Sequence, residues 1–255
     1  MTTLYEEMTS PFNYDLHDLG KSYKKKYRKA DPFPHGSIDN LISEDLLDKV
    51  LEEFPSPSGI KWNVREREGV SHKKLISRDV EKQFGPYTKY LVNRLNSPTF
   101  LAFLEELTGI EGLIPDPYLD AGGLHQIGSG GFLEMHTDFH WNQKLRLFRR
   151  INLLLYLNKD WKEEYNGHLE FWNRDMEKKV AILPSWNRIA MFSIGPYTYH
   201  GFPEPIQCPE DMTRKSLAFW YYTSQLDKET IQEFIRNKPA FIKRDETGKP
   251  KLANA

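Results

Sequence analysis

The chain has 255 residues, with 35 basic against 36 acidic side chains, a formal net charge of -1, and a hydrophobic fraction of 39% alongside 13% aromatics. That much apolar side chain excludes wholesale disorder, and the cancelling charge excludes a strong overall field drawing the protein to nucleic acid or an anionic membrane. The single cysteine, Cys208, excludes an internal disulfide, and no stretch approaches the roughly 20 apolar residues of a membrane-spanning helix.

Residues 1–14 are polar and acidic where a secretory leader needs an apolar run, so a reducing, cytoplasmic setting is expected. Lys24, Lys25, Lys26, Arg28 and Lys29 then crowd around Tyr23 and Tyr27, a composition able to touch phosphates that reads first as a solvated basic face. Ser43 suits a helix N-cap, and Leu46, Leu47, Val50, Leu51 and Phe54 follow at the spacing of one helical face before Pro55 ends the run. Residues 79–96 read as helical, kinked or divided at Gly85-Pro86. Ser97-Pro98 starts another helix striped by Phe100, Leu101, Leu104 and Leu107 and stopped at Gly109.

From about Leu113 short apolar runs separated by Gly, Pro and Asn predict strands at 123–127, 132–136, 150–158, 168–172, 180–183, 188–192, 199–202 and 214–223. Eight short strands predict a jelly roll, that is, a double-stranded β-helix of cupin-like type. The fold class expected is mainly β (α+β), one structural unit made of a helical elaboration over 1–112, a barrel core over 113–226, and a C-terminal helix and tail over 227–255. That last helix is capped by Asp227, and the polar tail from Lys238 onward is expected to be loosely held.

His136-Thr137-Asp138 puts an imidazole and a carboxylate two positions apart, so on a strand both emerge from one face. In a chain with 8 histidines the pattern also arises by chance, as a surface His beside an Asp. His200, at a strand start after Gly195-Pro196, offers a third ligand. Two imidazoles and one carboxylate on one face of an octahedral ion leave three positions open, a set that favours iron(II) over tetrahedral zinc. Arg214, fourteen positions on, begins a run with strong β character. It suits a bidentate grip on a carboxylate, with Ser216 as a hydroxyl donor on the same strand face, or else pairs with an acidic residue inside the sheet. Trp172, Trp186 and Trp220 read as core or pocket lining.

In order along residues 120–225, His136-x-Asp138, the segment Arg149 to Trp161, Gly167-His168-Leu169, His200-Gly201 and Arg214-x-Ser216 resemble the prolyl-4-hydroxylase-like group of 2-oxoglutarate/Fe(II) oxygenases. The resemblance implies Fe(II) held by His136, Asp138 and His200, with 2-oxoglutarate as co-substrate and O2 as oxidant. It implies hydroxylation of an unactivated C–H bond coupled to decarboxylation of 2-oxoglutarate to succinate. Because related halogenases lack the carboxylate, Asp138 points to hydroxylation. Arg214 and Tyr156 are expected to clamp the far carboxylate of 2-oxoglutarate, assisted by Ser216. Gln126 stands where many relatives carry a pocket tyrosine, and His168 replaces the second glycine of a Gly-Gly pair. His140, Arg149 and Trp220 are expected on the substrate side, and the basic 24–29 stretch and Arg65-Glu66-Arg67 at the substrate mouth. A small molecule, free or carrier-linked, is the expected substrate, with no membrane or nucleic-acid partner. A prolyl-type residue in a peptide, or a jelly-roll module that binds metal without turnover, are the alternatives.

Overall fold

The computed structural model describes residues 10–68, 71–77, 80–236, 241–244 and 250–251. Most of the 1–14 stretch, Asn237 and most of the tail beyond it lie outside the described residues. The chain opens with α1 (Leu16–Arg28), capped by the Asp15 carboxylate, which accepts from the Asp18 amide. The basic stretch therefore forms one side of a helix whose other side buries Leu16 and Tyr27. Two of its cations are engaged. The Lys24 ammonium pairs with Glu106 at 2.8 Å, and the Arg28 guanidinium donates to the Leu107 and Glu106 carbonyls at the end of a later helix.

Strand β1 (His35–Asp39) precedes α2 (Glu44–Glu52), which buries Leu46, Leu47 and Val50 as the spacing predicts, although Ser43 makes no side-chain capping bond. A hairpin follows, β2 (Asn63–Arg67) and β3 (Ser71–Ile76). Gly85-Pro86 divides the next helical stretch into α3 (Val80–Gln83) and α4 (Pro86–Leu95). The Glu53 carboxylate caps α4 from outside, accepting the Tyr87 and Thr88 amides and the Thr88 hydroxyl at 2.7–3.0 Å. In α5 (Pro98–Thr108) the Ser97 hydroxyl caps the N-terminus and Gly109, at φ 78°, takes the left-handed conformation that ends it.

The strands then run β4 (Ile114–Pro115), β5 (Gly123–His136), β6 (Trp141–Asn142), β7 (Leu147–Tyr156), β8 (Leu169–Trp172), β9 (Lys179–Ile182), β10 (Arg188–Ser193), β11 (Tyr199–Phe202) and β12 (Arg214–Thr223). After them come α6 (Lys228–Arg236), capped by Asp227, and the short pair β13 (Lys243–Arg244) and β14 (Pro250–Lys251). The main sheet is antiparallel throughout in the order β1-β10-β7-β12-β5-β11-β8-β9, with β3 also on β5.

Strand β5 belongs to both walls of the barrel: residues 123–127 pair with β12, and residues 133–136 pair with β11. The two strands expected at 123–127 and 132–136 are thus one strand bent at a glycine-rich corner. Gly130 sits there at φ 79°, and a Cβ on Gly131 would collide with the Ile127 side chain and the Gly128 carbonyl. The result is a jelly roll of seven strands, β5 serving twice, with a β5-β12-β7-β10 wall facing a β5-β11-β8-β9 wall.

The first wall is buried on both faces. Ile151, Leu153, Leu155, Ile189, Met191, Leu217, Phe219 and Tyr221 pack with Leu47, Leu91, Phe100 and Leu104 of the helices in one core. The alternate residues Tyr156, Ala190, Phe192, Ala218, Trp220 and Tyr222 face the barrel interior with Phe171 and Leu169. Two-sided burial explains why β7 and β12 read as near-continuous apolar runs. It also makes parity decisive: on β12 the positions that face the interior are 214, 216, 218, 220 and 222.

Candidate active site

His136 ends β5, His200 lies in β11 directly across from it, and Asp138 follows two residues after His136. One ligand atom from each lies within 4.8 Å of the others, with both His Nε2 atoms 3.8 Å from an Asp138 carboxylate oxygen. Each imidazole has its Nδ1 on a backbone carbonyl, His136 on Glu134 at 2.8 Å and His200 on Thr198 at 2.9 Å. With Nδ1 engaged there, each Nε2 faces the point where the three side chains converge. Burial alone would push the Asp138 carboxyl up. The neighbouring His200, His136 and Arg149 and the Asn152 amide outweigh that and hold it well below the usual carboxylate range. The donor set is therefore two imidazoles and a carboxylate on one side of an open space, which fits a six-coordinate divalent ion with vacant positions.

The Asp138 orientation is fixed from β7 and β12. Oδ2 accepts from the Asn152 amide at 3.0 Å and from the Trp220 indole at 3.2 Å. Such outer partners typically matter about 10–100-fold to metal affinity. Asn152→Ala is expected to weaken Mn(II) binding by about that factor, measured by calorimetric titration, with Tm nearly unchanged.

A cavity of about 70 Å³ is lined jointly by the triad and by His125, Ile127, Asn152, Arg214 and Ser216. Arg214 is 3% exposed. Its Nε donates to the Gly167 carbonyl at 2.7 Å, a terminal nitrogen donates to the Tyr156 hydroxyl at 3.1 Å, and its guanidinium lies over the Phe202 ring at 4.5 Å. No carboxylate pairs with it among the described residues, so the alternative of an acidic partner inside the sheet is not what the structure shows. A buried guanidinium without a counter-ion is costly, and burial pushes its pKa down. A carboxylate entering the cavity relieves that cost. Tyr156 is fully buried with its pKa raised by burial, so the phenol keeps its proton. Since the Tyr156 oxygen already accepts from Arg214, its O–H is left to donate to the same anion. Gly167 is required beside Arg214: it sits at φ 74°, and a Cβ there would lie 3.1 Å from the Arg214 Cδ. His168, the departure from the Gly-Gly pair, contacts Glu163 at 2.6 Å and does not line this cavity.

Two expected site residues are not brought in. The Gln126 amide donates to the Pro55 carbonyl at 3.0 Å and accepts from Thr213, because strand alternation sends it to the face opposite His125. His125 takes the cavity position instead. The His140 ring stacks flat on Phe234 of α6 at 3.8 Å, as a packing residue outside both cavities at the triad. Arg149 and Trp220 do line a second, open cavity of about 540 Å³ that shares His136 and Asp138 with the first. Arg65, Glu66 and Arg67 of the hairpin line its far side, as expected of the mouth; the 24–29 stretch does not.

Phe241 is the wall residue that sequence reasoning missed. It forms a β-bridge with His136, its ring stacks on that imidazole at 5.1 Å, and the Ile242 amide donates to the Met135 carbonyl at 2.7 Å. This part of the tail is therefore anchored across the metal centre, where loose attachment was expected. Two apolar residues inside a polar tail were the available signal.

Residues 122–222 match the family model of the 2OG-Fe(II) oxygenase superfamily. Over that stretch the chain is similar to this superfamily. Iron(II) and 2-oxoglutarate are accordingly the cofactors that the triad and the unpaired Arg214 fit. The chain is 26% identical over 204 residues to mouse Prolyl 3-hydroxylase OGFOD1, covering 78% of this chain and 34% of that protein. It is 26% identical over 232 residues to Prolyl 3,4-dihydroxylase OGFOD1 of Ostreococcus tauri, covering 82% and 43%. The chain thus spans well under half the length of these two relatives. Among solved structures, a Pseudomonas putida prolyl-4-hydroxylase superposes with TM-score 0.59 at 17% identity, over 80% of this chain and 98% of that one, a likeness of fold. The described residues contain no helix long and apolar enough to cross a membrane.

Proposed function

We propose that the chain is a 2-oxoglutarate/Fe(II)-dependent dioxygenase that hydroxylates a C–H bond of a residue within a polypeptide, of prolyl type, in the reducing cytoplasm. The observation that carries the chemistry is the meeting of an open His136-Asp138-His200 set with a buried, acid-free Arg214 in one cavity. A module that bound metal without turnover would have no use for that guanidinium, whose burial is a standing cost.

The polypeptide reading replaces the small-molecule expectation because both curated relatives are named as prolyl hydroxylases and match over most of this chain. It is supported by the form of the second cavity. That space reaches from the triad to exposed apolar side chains, Val64 at 59% and Phe139 at 68%, on which a passing chain can rest.

When bound, the iron and 2-oxoglutarate supply the oxidising power, by coupling loss of carbon dioxide from the keto acid to oxygen insertion. The protein's part is positional. His136, Asp138 and His200 would hold the ion, and Arg214 and Tyr156 would fix the far carboxylate of the co-substrate. Ile127 and Phe202 keep the cavity dry, and Trp220 forms the wall between the Asp138 carboxylate and the substrate side.

The test is mass spectrometry on proline-containing peptides, and separately on free amino acids and sugars, after incubation with Fe(II), 2-oxoglutarate and air. A gain of one oxygen on peptides, stoichiometric with succinate, is expected. Oxygen gained only by the free small molecules would reverse the substrate assignment.

A further inference from the structure

The cavity of about 540 Å³ has a charge pattern that the metal and the keto acid do not use. Arg149, 8% exposed, lines it with its guanidinium 5.1 Å from the Trp220 ring centroid and beside the Tyr222 hydroxyl. Its Nε is buried without an acceptor, and no carboxylate lies at ion-pair distance from the group among the described residues. Three acids of the neighbourhood, among the described residues, are already engaged. Asp138 belongs to the triad, with Oδ2 taken by Asn152 and Trp220. Asp116 accepts the Tyr118 and Asp120 amides and the Tyr222 hydroxyl, and Glu66 is paired with His72 at 2.7 Å. Arg65 and Arg67 add two more cations to the lining, Arg67 resting over the Phe241 ring at 5.6 Å.

We propose that Arg149 receives a carboxylate carried by the substrate. Resting on the polypeptide reading above, this means an Asp or Glu close to the residue that is oxidised. The planar fork suits a bidentate grip on that group, and the Trp220 face holds the guanidinium in plane. Arg65 and Arg67, at the exposed rim, raise the encounter rate of an acidic segment rather than its final affinity. The substrate acid would also bring a carboxylate to ion-pair distance of the buried Arg149, where the described residues place none.

The test uses the full chain loaded anaerobically with Fe(II) and 2-oxoglutarate, whose visible absorption band reports on the surroundings of the metal. The probes are short end-blocked peptides with a central proline flanked by Asp, Asn or Lys, together with free L-proline. Peptides with Asp are expected to perturb the band and to bind about tenfold more tightly than those with Asn. Arg149→Gln is expected to erase that preference, and Arg149→Lys to retain part of it. Arg149-dependent binding of L-proline alone would support the carboxylate site while overturning the polypeptide reading. Equal binding of Asp and Asn peptides, a preference that survives Arg149→Gln, or no binding by any probe would overturn the site. Failure of the band to form in the unmutated protein, before any probe, would remove the oxygenase reading and the site with it.

Discussion

Replacing Arg214 with alanine is expected to weaken 2-oxoglutarate binding by about a hundredfold or more while leaving Mn(II) affinity within about twofold. The reason is the position of the side chain. It touches the Gly167 carbonyl, Tyr156 and Phe202, and no metal ligand. Its loss would remove the charge-assisted hydrogen bonds that the guanidinium would offer a bound carboxylate, worth about 1.5–3 kcal/mol each, without disturbing the triad. Stability should move the other way. In the absence of co-substrate a buried cation with no acid beside it is a net cost, so Arg214→Met is expected to melt at the same temperature as the parent or higher. Thermal unfolding with and without 2-oxoglutarate measures both effects: the co-substrate raises Tm of the metal-loaded parent and not of the variant. Equal loss of metal and keto acid, or a sharply lower Tm without ligand, would mean that Arg214 is a structural pin.

His136→Ala is expected to bring succinate formation to background in the presence of iron and 2-oxoglutarate. His136 supplies one of three ligand atoms, and a hard six-coordinate ion held by one imidazole and one carboxylate is lost readily. The loss should exceed that of Asn152→Ala, which leaves all three ligands and removes only a hydrogen bond to Asp138. A His136→Ala protein that still makes succinate at the parent rate, measured by a coupled or mass-spectrometric assay, would take His136 off the metal.

A strand pattern discloses which residues share a face but not which face is the cavity. The triad was legible because spacing two on a strand sets a face, and His200 follows a glycine-proline turn. Gln126 was misplaced by a single position. Alternation gives His125 and Gln126 opposite faces, and with β5 buried on both sides neither residue's polarity betrays which face is the cavity. Asn152 was readable in principle: it is the one polar residue in the run Ile151 to Leu157 and shares its parity with Tyr156. The hairpin β2–β3 gave no signal of its own, since β2 is largely charged and exposed and β3 takes its place by pairing with β5. Helix α1 was hidden for the opposite reason, its lysines masking the spacing of Leu16, Gly20 and Tyr27.

The claim on which the chemistry depends is that an anchored keto acid and a three-ligand metal share one cavity. Anaerobic addition of Fe(II) and then 2-oxoglutarate tests it most directly, through the weak visible charge-transfer absorption of the chelate. The band is expected to appear with stoichiometric co-substrate in the parent, to need far higher concentrations in Arg214→Ala, and to be absent in His136→Ala. No band in the parent at saturating iron and 2-oxoglutarate, or a band indifferent to both substitutions, would contradict the assignment of the site.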